Sequence, residues 1–339
     1  MRILRRLILI AILLFSIWAL SNLNSYNLET NNLESLSFDG LRSYFTKLSK
    51  EKGAKYAYEI LKKASVAPNT DMHLLGHVVG DILYEQQGAE GIQICTQDFR
   101  NACSHSIVVG LFTEKGVEAL SEIQEACKKA PGGIGAYIMC YHGLGHGILA
   151  FAGYDFSKTI KLCQKTGTSQ YSRREYPECV SGAVMEIISG GGHNRELWQM
   201  QRPKYLKIDN PFYICSPPFM PEDARARCYD YIAPYLWEVV GADINNPNER
   251  DFANSFKLCE QVSQENYRRI CFGGFGKEFV GLAQSKDIRK VDQMSDDKLR
   301  KVVNWCQIAV RRDAVNACLL SALSSIYWGG ENDYHVSIR

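Results

Sequence analysis

CYHGLGHGIL, residues 140–149, decides how this chain folds. It opens on a cysteine, sets His142 and His146 four residues apart, and runs on into apolar sequence. Sixty-nine residues upstream, DMHLLGHVVG (71–80) repeats its H-x-L-G-H letter for letter with His73 and His77. Five further segments begin the same way, each on a cysteine followed by apolar residues rich in Gly, Ala and Ser. They are CSHSIVVGLF (103–112), CVSGAVMEII (179–188), CYDYIAPYLW (228–237), CFGGFGKEFV (271–280) and CLLSALSSIY (318–327). With Asp71 standing where the others have cysteine, the seven copies are spaced 32, 37, 39, 49, 43 and 47 residues. Periods in this range belong to stacked supersecondary units, each too small to bury its own apolar face.

The other half of the unit lies upstream of each cysteine. VEALSEIQEACKKA (117–130) carries Val117, Leu120, Ile123 and Ala126 at helical spacing, with lysines in its last turn. NSFKLCEQV (254–262) and VVNWCQIAV (302–310) follow the same pattern. Each unit therefore reads as helix A, a short turn and helix B, with one cysteine on either side of the turn, where antiparallel geometry brings them within disulfide reach. The twelve cysteines pair in order as Cys95–Cys103, Cys127–Cys140, Cys163–Cys179, Cys215–Cys228, Cys259–Cys271 and Cys306–Cys318. An even count, regular pairing and no C-x-x-C anywhere favour disulfides over zinc. Each bridge stabilises by about 3 kcal/mol in the chain-entropy account. That offsets glycines in the B helices, which cost up to about 1 kcal/mol each. The predicted fold is all-α: about seven αα-hairpin repeats in a curved superhelix over residues 39–330, with a closed α/α toroid as the alternative.

On these cysteine-bearing helix pairs, the chain resembles the disulfide-stapled Sel1-like repeats of secreted cysteine-rich bacterial proteins. The resemblance is one of architecture and spans most of residues 70–328. The HG at the start of the apolar helix in CYHGLGHGIL is similar to helix starts of lanthionine-cyclase-type α/α toroids, a local likeness. It implies ring closure; the zinc of that family is held by cysteines, which are paired here.

The N-terminus reads as an export signal. Arg2, Arg5 and Arg6 precede fourteen uncharged, mostly apolar residues from Leu7 to Leu20. That run fits a signal-peptide core and is short for a spanning helix. Residues 1–21 are thus a signal peptide, with Ala19-Leu20-Ser21 as a cleavage site, or an uncleaved anchor. The Asn- and Ser-rich 22–38 reads as a flexible tether. The protein is expected outside the cytoplasm, periplasmic or extracellular, touching membrane only through this N-terminal segment. Lys plus Arg at 39 against Asp plus Glu at 37, without basic runs, argues against nucleic acid as a partner. Between a His-bearing half (39–189) and the C-terminal repeats (221–330), residues 190–220 read as a long, proline-broken surface insertion.

The chemistry lies in the histidines. Five of the seven fall between residues 73 and 146, all on B helices. His73, His105 and His142 share one repeat position, and His77 and His146 share another one turn later. Residues i and i+4 lie on one helix face, so each H-x-x-x-H can present two imidazoles to one ion. Later repeats carry Ser181, Asp230, Gly273 and Leu320 at the first of these positions, so packing alone does not demand histidine there. Met185 and Glu186 continue the face, and Asp81 extends the first pair as a further ligand or a partner of His77. The glycine inside each H-x-L-G-H lets another helix or a substrate approach closely. The expected ligands are His73, His77, His105, His142, His146 and Asp81, for zinc, copper or iron, with haem held between two histidines as an alternative.

Neighbouring helices pack about 8–10 Å apart, so a straight stack would separate repeats one and three by nearly 20 Å. One ion shared by both needs a tightly curved array; otherwise there are two sites, or a closely spaced dinuclear centre resembling coupled dicopper proteins. Glu186 is the candidate general base or carboxylate ligand if the site is catalytic, and the C-terminal repeats would supply a substrate wall. The function expected is that of an exported metal-binding repeat protein, and of a metal-dependent enzyme if the multi-histidine site is catalytic. Its rival is a non-catalytic scaffold for a protein or peptide, with dispersed histidines. The sequence names neither substrate nor partner.

Overall fold

A computed structural model describes residues 33–167, 174–190, 194–217, 219–243, 247–289 and 291–329, with isolated positions 12, 15, 16 and 30. Nearly all of the expected leader therefore lies outside the described residues, as do His193 and His335. Among the described residues the regular structure is helical, apart from one isolated bridge between Lys207 and Asn210. None of these helices is long and apolar enough to cross a membrane.

α1 (Phe38–Lys52) and α2 (Ala54–Lys63) precede the first B helix and turn about Gly53, whose φ of 93° suits glycine. α1 buries Leu41, Phe45 and Leu48, and packs on the first B helix, α3 (Met72–Gln87). Asp71 caps α3, accepting from the Leu74 amide at 3.0 Å. A carboxylate at this position satisfies an amide that would otherwise lack a partner, which is a different service from the cysteine it replaces. The tether expected over residues 22–38 ends earlier than its composition indicates. Leu33 is buried, and the Thr30 carbonyl accepts from the Ser65 amide at 2.8 Å, fastening this segment beside α2.

The following hairpins place α4 (Ala102–Lys115), α6 (Gly133–Phe151), α8 (Glu175–Ser189), α10 (Glu222–Tyr231), α13 (Glu265–Ala283) and α15 (Arg312–Gly329) as B helices. Their A partners include α5 (Leu120–Lys129), α7 (Phe156–Gln164), α12 (Glu249–Glu260) and α14 (Asp296–Gln307). Repeat two departs from the pattern, with a 3-10 segment over Gly88–Ile94 as its A element. All six expected cysteine pairs are bonded, with Cα separations of 5.3 to 5.7 Å.

Two local expectations change. CYDYIAPYLW is broken after Tyr231: α10 ends there and α11 (Ala233–Val239) starts anew with Pro234 in its first turn. The 190–220 insertion contains a helix, α9 (Arg195–Tyr205), capped by Asn194. Its polar sequence carries no apolar stripe because side-chain hydrogen bonds dock it. Trp198 Nε1 donates to the carbonyls of Glu186 and Ile187, and the Arg202 guanidinium donates to Ile188. These contacts satisfy the end of α8, whose last carbonyls lack helical partners.

B helices pack in chain order, α3 on α4, α4 on α6, α6 on α8, α8 on α10, α10 on α13 and α13 on α15. Such helices are covered on more than one side, which is why α6 is buried from Gly135 to Leu149 nearly all round. The series then turns back on itself. Arg289 donates to the carbonyls of Leu61 and Ala64, and the Asn69 amide donates to Ser285. Arg100 donates to the Lys277 carbonyl at 2.8 Å. The two ends of the array meet, a contact the toroid alternative expects.

Close backbone approach holds the inner helices at the site. A Cβ on Gly145 would lie 1.9 Å from the Cys179 carbonyl oxygen, and one on Gly182 would lie 1.8 Å from that of His142. The glycine inside H-x-L-G-H thus admits a helix. Gly145→Ala would force α6 and α8 apart, at a cost of about 3 kcal/mol or more because backbone atoms cannot rotate away. Thermal denaturation should show a clearly lowered midpoint; an unchanged one would contradict this packing.

Candidate metal centre

The inner helices bring all five histidines into one cluster. α3 supplies His73 and His77, α4 supplies His105, and α6 supplies His142 and His146. His105 sits between the pairs, its ring centroid 5.7 and 5.8 Å from His73 and His77, and 5.6 and 5.8 Å from His142 and His146. Gly76 and Gly80 on α3, and Gly143 and Gly147 on α6, let both helices approach α4 closely, so that the rings of repeats one and three meet around His105. His105, His142 and His146 are buried, while His73 and His77 are partly exposed.

Hydrogen bonds engage Nδ1 of four of the five rings. His73 Nδ1–H donates to the Phe99 carbonyl at 2.7 Å. His77 Nδ1 lies 3.1 Å from Ser106 Oγ, whose own proton is directed to the His77 carbonyl. His142 Nδ1 lies 2.8 Å from Ser181 Oγ, which donates to the Glu178 carbonyl at 2.7 Å. His146 Nδ1–H donates to Glu186 Oε2 at 2.9 Å. In a neutral ring whose proton is on Nδ1, Nε2 is left with a lone pair. Those lone pairs face other electron-rich atoms: His73 Nε2 and His77 Nε2 are 3.3 Å apart, and His142 Nε2 is 3.3 Å from Met185 Sδ. His146 Nε2 and both nitrogens of His105 are buried without a hydrogen-bond partner.

Such an arrangement is costly without a cation. Two nitrogens bonded at about 2.05 Å to a tetrahedral ion lie about 3.3 Å apart, which matches the His73–His77 spacing. Ligand nitrogens of His73, His77 and His105 all lie within 4.8 Å of one another. The competing explanation is the other neutral tautomer of His77, in which Ser106 Oγ–H donates to Nδ1 and Nε2–H donates to His73 Nε2. Burial holds the His73 pKa below the ordinary imidazole value, although Asp71 and the Phe99 hydrogen bond pull the other way, and this disfavours only an extra proton on the pair.

Glu186 is buried, and its second oxygen accepts from the Tyr154 hydroxyl at 2.9 Å. One oxygen is on His146 and the other on Tyr154, the placement of carboxylates that orient metal-bound histidines. Asp81 is exposed on α3, one turn beyond His77.

Several participants carry no motif. Phe99, Arg100 and Asn101 lie consecutively in the left-handed region, at φ 59°, 49° and 64°. Strain of this kind costs on the order of 1 kcal/mol per residue and collects at functional sites. Here the segment carries the Phe99 carbonyl that holds His73 and the Arg100 side chain that reaches Lys277. Across the cluster, Tyr231 stacks on His142 at 4.9 Å, and Lys277 Nζ lies 3.2 Å from the Tyr231 ring centroid. From the C-terminal repeats, Tyr231 thus reaches His142, and Lys277 lies over the Tyr231 ring. A concavity of about 590 Å³ between α10, α13 and α15, flanked by Arg227, Arg269 and Asp313, contains no histidine.

Burial pushes the His105 and His142 pKa values well down, reinforced by His142 and His73 around the former, and by His146 and Lys277 around the latter. With folded-state values below the unfolded value near 6.5, the unfolded chain takes up protons first as pH falls. Stability of the metal-free protein should be full above about pH 6.5 and decline below it, by up to about 1.4 kcal/mol per pH unit for each such histidine. Denaturant midpoints at pH 7.5 and 5.5 check this; equal midpoints would contradict it.

No family profile, curated protein or solved structure matches this chain.

Proposed function

We propose that this is a transition-metal protein of an oxidising compartment outside the cytoplasm, with His73, His77, His105, His142 and His146 as ligands. Six disulfides support the compartment. The observation that carries the metal reading is the pair of Nε2 atoms at 3.3 Å beside three further imidazole nitrogens, both of His105 and Nε2 of His146, that are buried without a hydrogen-bond partner. Met185 Sδ beside His142 Nε2 favours copper at that end, since thioether and imidazole together suit it better than they suit zinc. Flat haem fits poorly, because the five rings and Tyr231 pack on one another and leave no slot between them.

A bound ion would supply Lewis-acid or one-electron chemistry. The chain's own residues hold its ligands still: Phe99 and Ser106 fix the first pair, Ser181 and Glu186 the second. Solvent and small molecules reach the cluster from His73 and His77, the partly exposed side. Tyr231 and Lys277 close the opposite side. A non-catalytic scaffold expects dispersed histidines, whereas these converge on His105.

The test is metal content by mass spectrometry on oxidised protein purified without chelator, followed by copper or zinc addition. Stoichiometric retention is expected. Protein that is folded, empty and still empty after addition would overturn the proposal. Glu186→Gln, which weakens the acceptor for His146 while keeping its shape, should lower affinity by about 10- to 100-fold. Competition with a chromophoric chelator reads the change, and wild-type affinity would contradict the orienting role.

A further inference from the structure

The five histidines are not equivalent. Four have Nδ1 committed to a hydrogen bond and offer one nitrogen each. His105 is 1% exposed, and neither of its nitrogens has a partner. Its ring is nearly equidistant from the two pairs, at 5.7 and 5.8 Å on one side and 5.6 and 5.8 Å on the other. Gly143 explains how it fits there: a Cβ on that residue would lie 2.4 Å from His105 Cδ2 and 2.6 Å from Cγ. The Cγ–Cδ2 edge of the imidazole therefore lies against α6.

We infer that His105 bridges two metal ions as an imidazolate, one ion held by His73 and His77 and the other by His142 and His146 beside Met185. This rests on the metal reading above and extends it to a dinuclear centre. The proton balance is simple. Neutral His105 carries one N–H; one nitrogen binds the first ion through its lone pair, and binding of the second releases that proton to solvent. No electron is transferred. Ions joined this way sit about 6 Å apart, from two bonds of about 2.05 Å and the width of the ring. The charge pattern agrees. Arg100 bears on His73 and Lys277 on His142, so cations flank both ends, and an anionic bridge lowers the repulsion between two metal ions. A buried histidine serving only as packing would leave two polar nitrogens unsatisfied.

The test is copper(II) loading of the oxidised full chain, read by metal analysis and electron paramagnetic resonance. The expected result is two ions per chain with magnetic coupling, so that the ordinary signal integrates to clearly less than two spins. His105→Ala should remove the coupling, leaving uncoupled spins that account for all the copper bound. Two ions with two independent spins in the wild-type protein, or a single ion per chain, would overturn the bridge while leaving the metal reading intact. No copper uptake at all would remove both. The wild-type measurement decides even if His105→Ala fails to fold.

Discussion

Full reduction of the six disulfides should unfold the described domain in native buffer. The bridges close short loops, with sequence separations from 8 to 16 residues. Each contributes about 3 kcal/mol in the chain-entropy account, and six together exceed the roughly 5–15 kcal/mol that a typical domain has in total. The inner helices have little else to hold them as independent units, since α4 and α6 are glycine- and serine-rich and buried on several sides. Reduced and alkylated protein should lose its near-ultraviolet circular dichroism and its cooperative melt. Retention of both would show that the B-helix packing is sufficient without the staples. Loss of fold should also release bound metal, because the five ligands come from three helices that only packing aligns.

The second large effect concerns those ligands. His142→Ala/His146→Ala should remove the ion at the Met185 end and leave the His73–His77 position occupied, halving the metal bound. His73→Ala/His77→Ala should do the reverse. Changes to residues that merely orient ligands cost about 10- to 100-fold in affinity, so the loss of two ligands should exceed that range. Titration of each variant with copper and with zinc checks the division. Unchanged stoichiometry in both variants would place the metal elsewhere, and complete loss in either would show that the two positions are not separable.

Much of this architecture was legible because repeats announce themselves. The cysteine pairing, the helix pairs and the shared histidine positions all follow from one period, and the structure bears out the helices and the six bridges. What was not legible has physical causes. The distance between repeats one and three depends on how closely each approaches α4, which Gly76 and Gly80 on one side and Gly143 and Gly147 on the other permit. The partners that fix the rings include a backbone carbonyl, at Phe99, and two serines with no motif around them. Glu186 was visible as chemistry, but its role depends on Tyr154, which lies 32 residues away. Asp81 fits the i, i+4 spacing and yet lies exposed, because helical spacing selects a face and cannot say how far that face is covered. The polar 190–220 stretch hid a helix since its docking is through Trp198 and Arg202 rather than an apolar stripe.

The most direct measurement is anomalous diffraction at the metal absorption edge, from crystals of the oxidised chain loaded with copper. The expected map has one peak bonded to His73 Nε2 and His77 Nε2, and a second bonded to His142 Nε2 and His146 Nε2. Anomalous density absent from the five-histidine cluster, in crystals of a protein that carries copper, would contradict the assignment of the site.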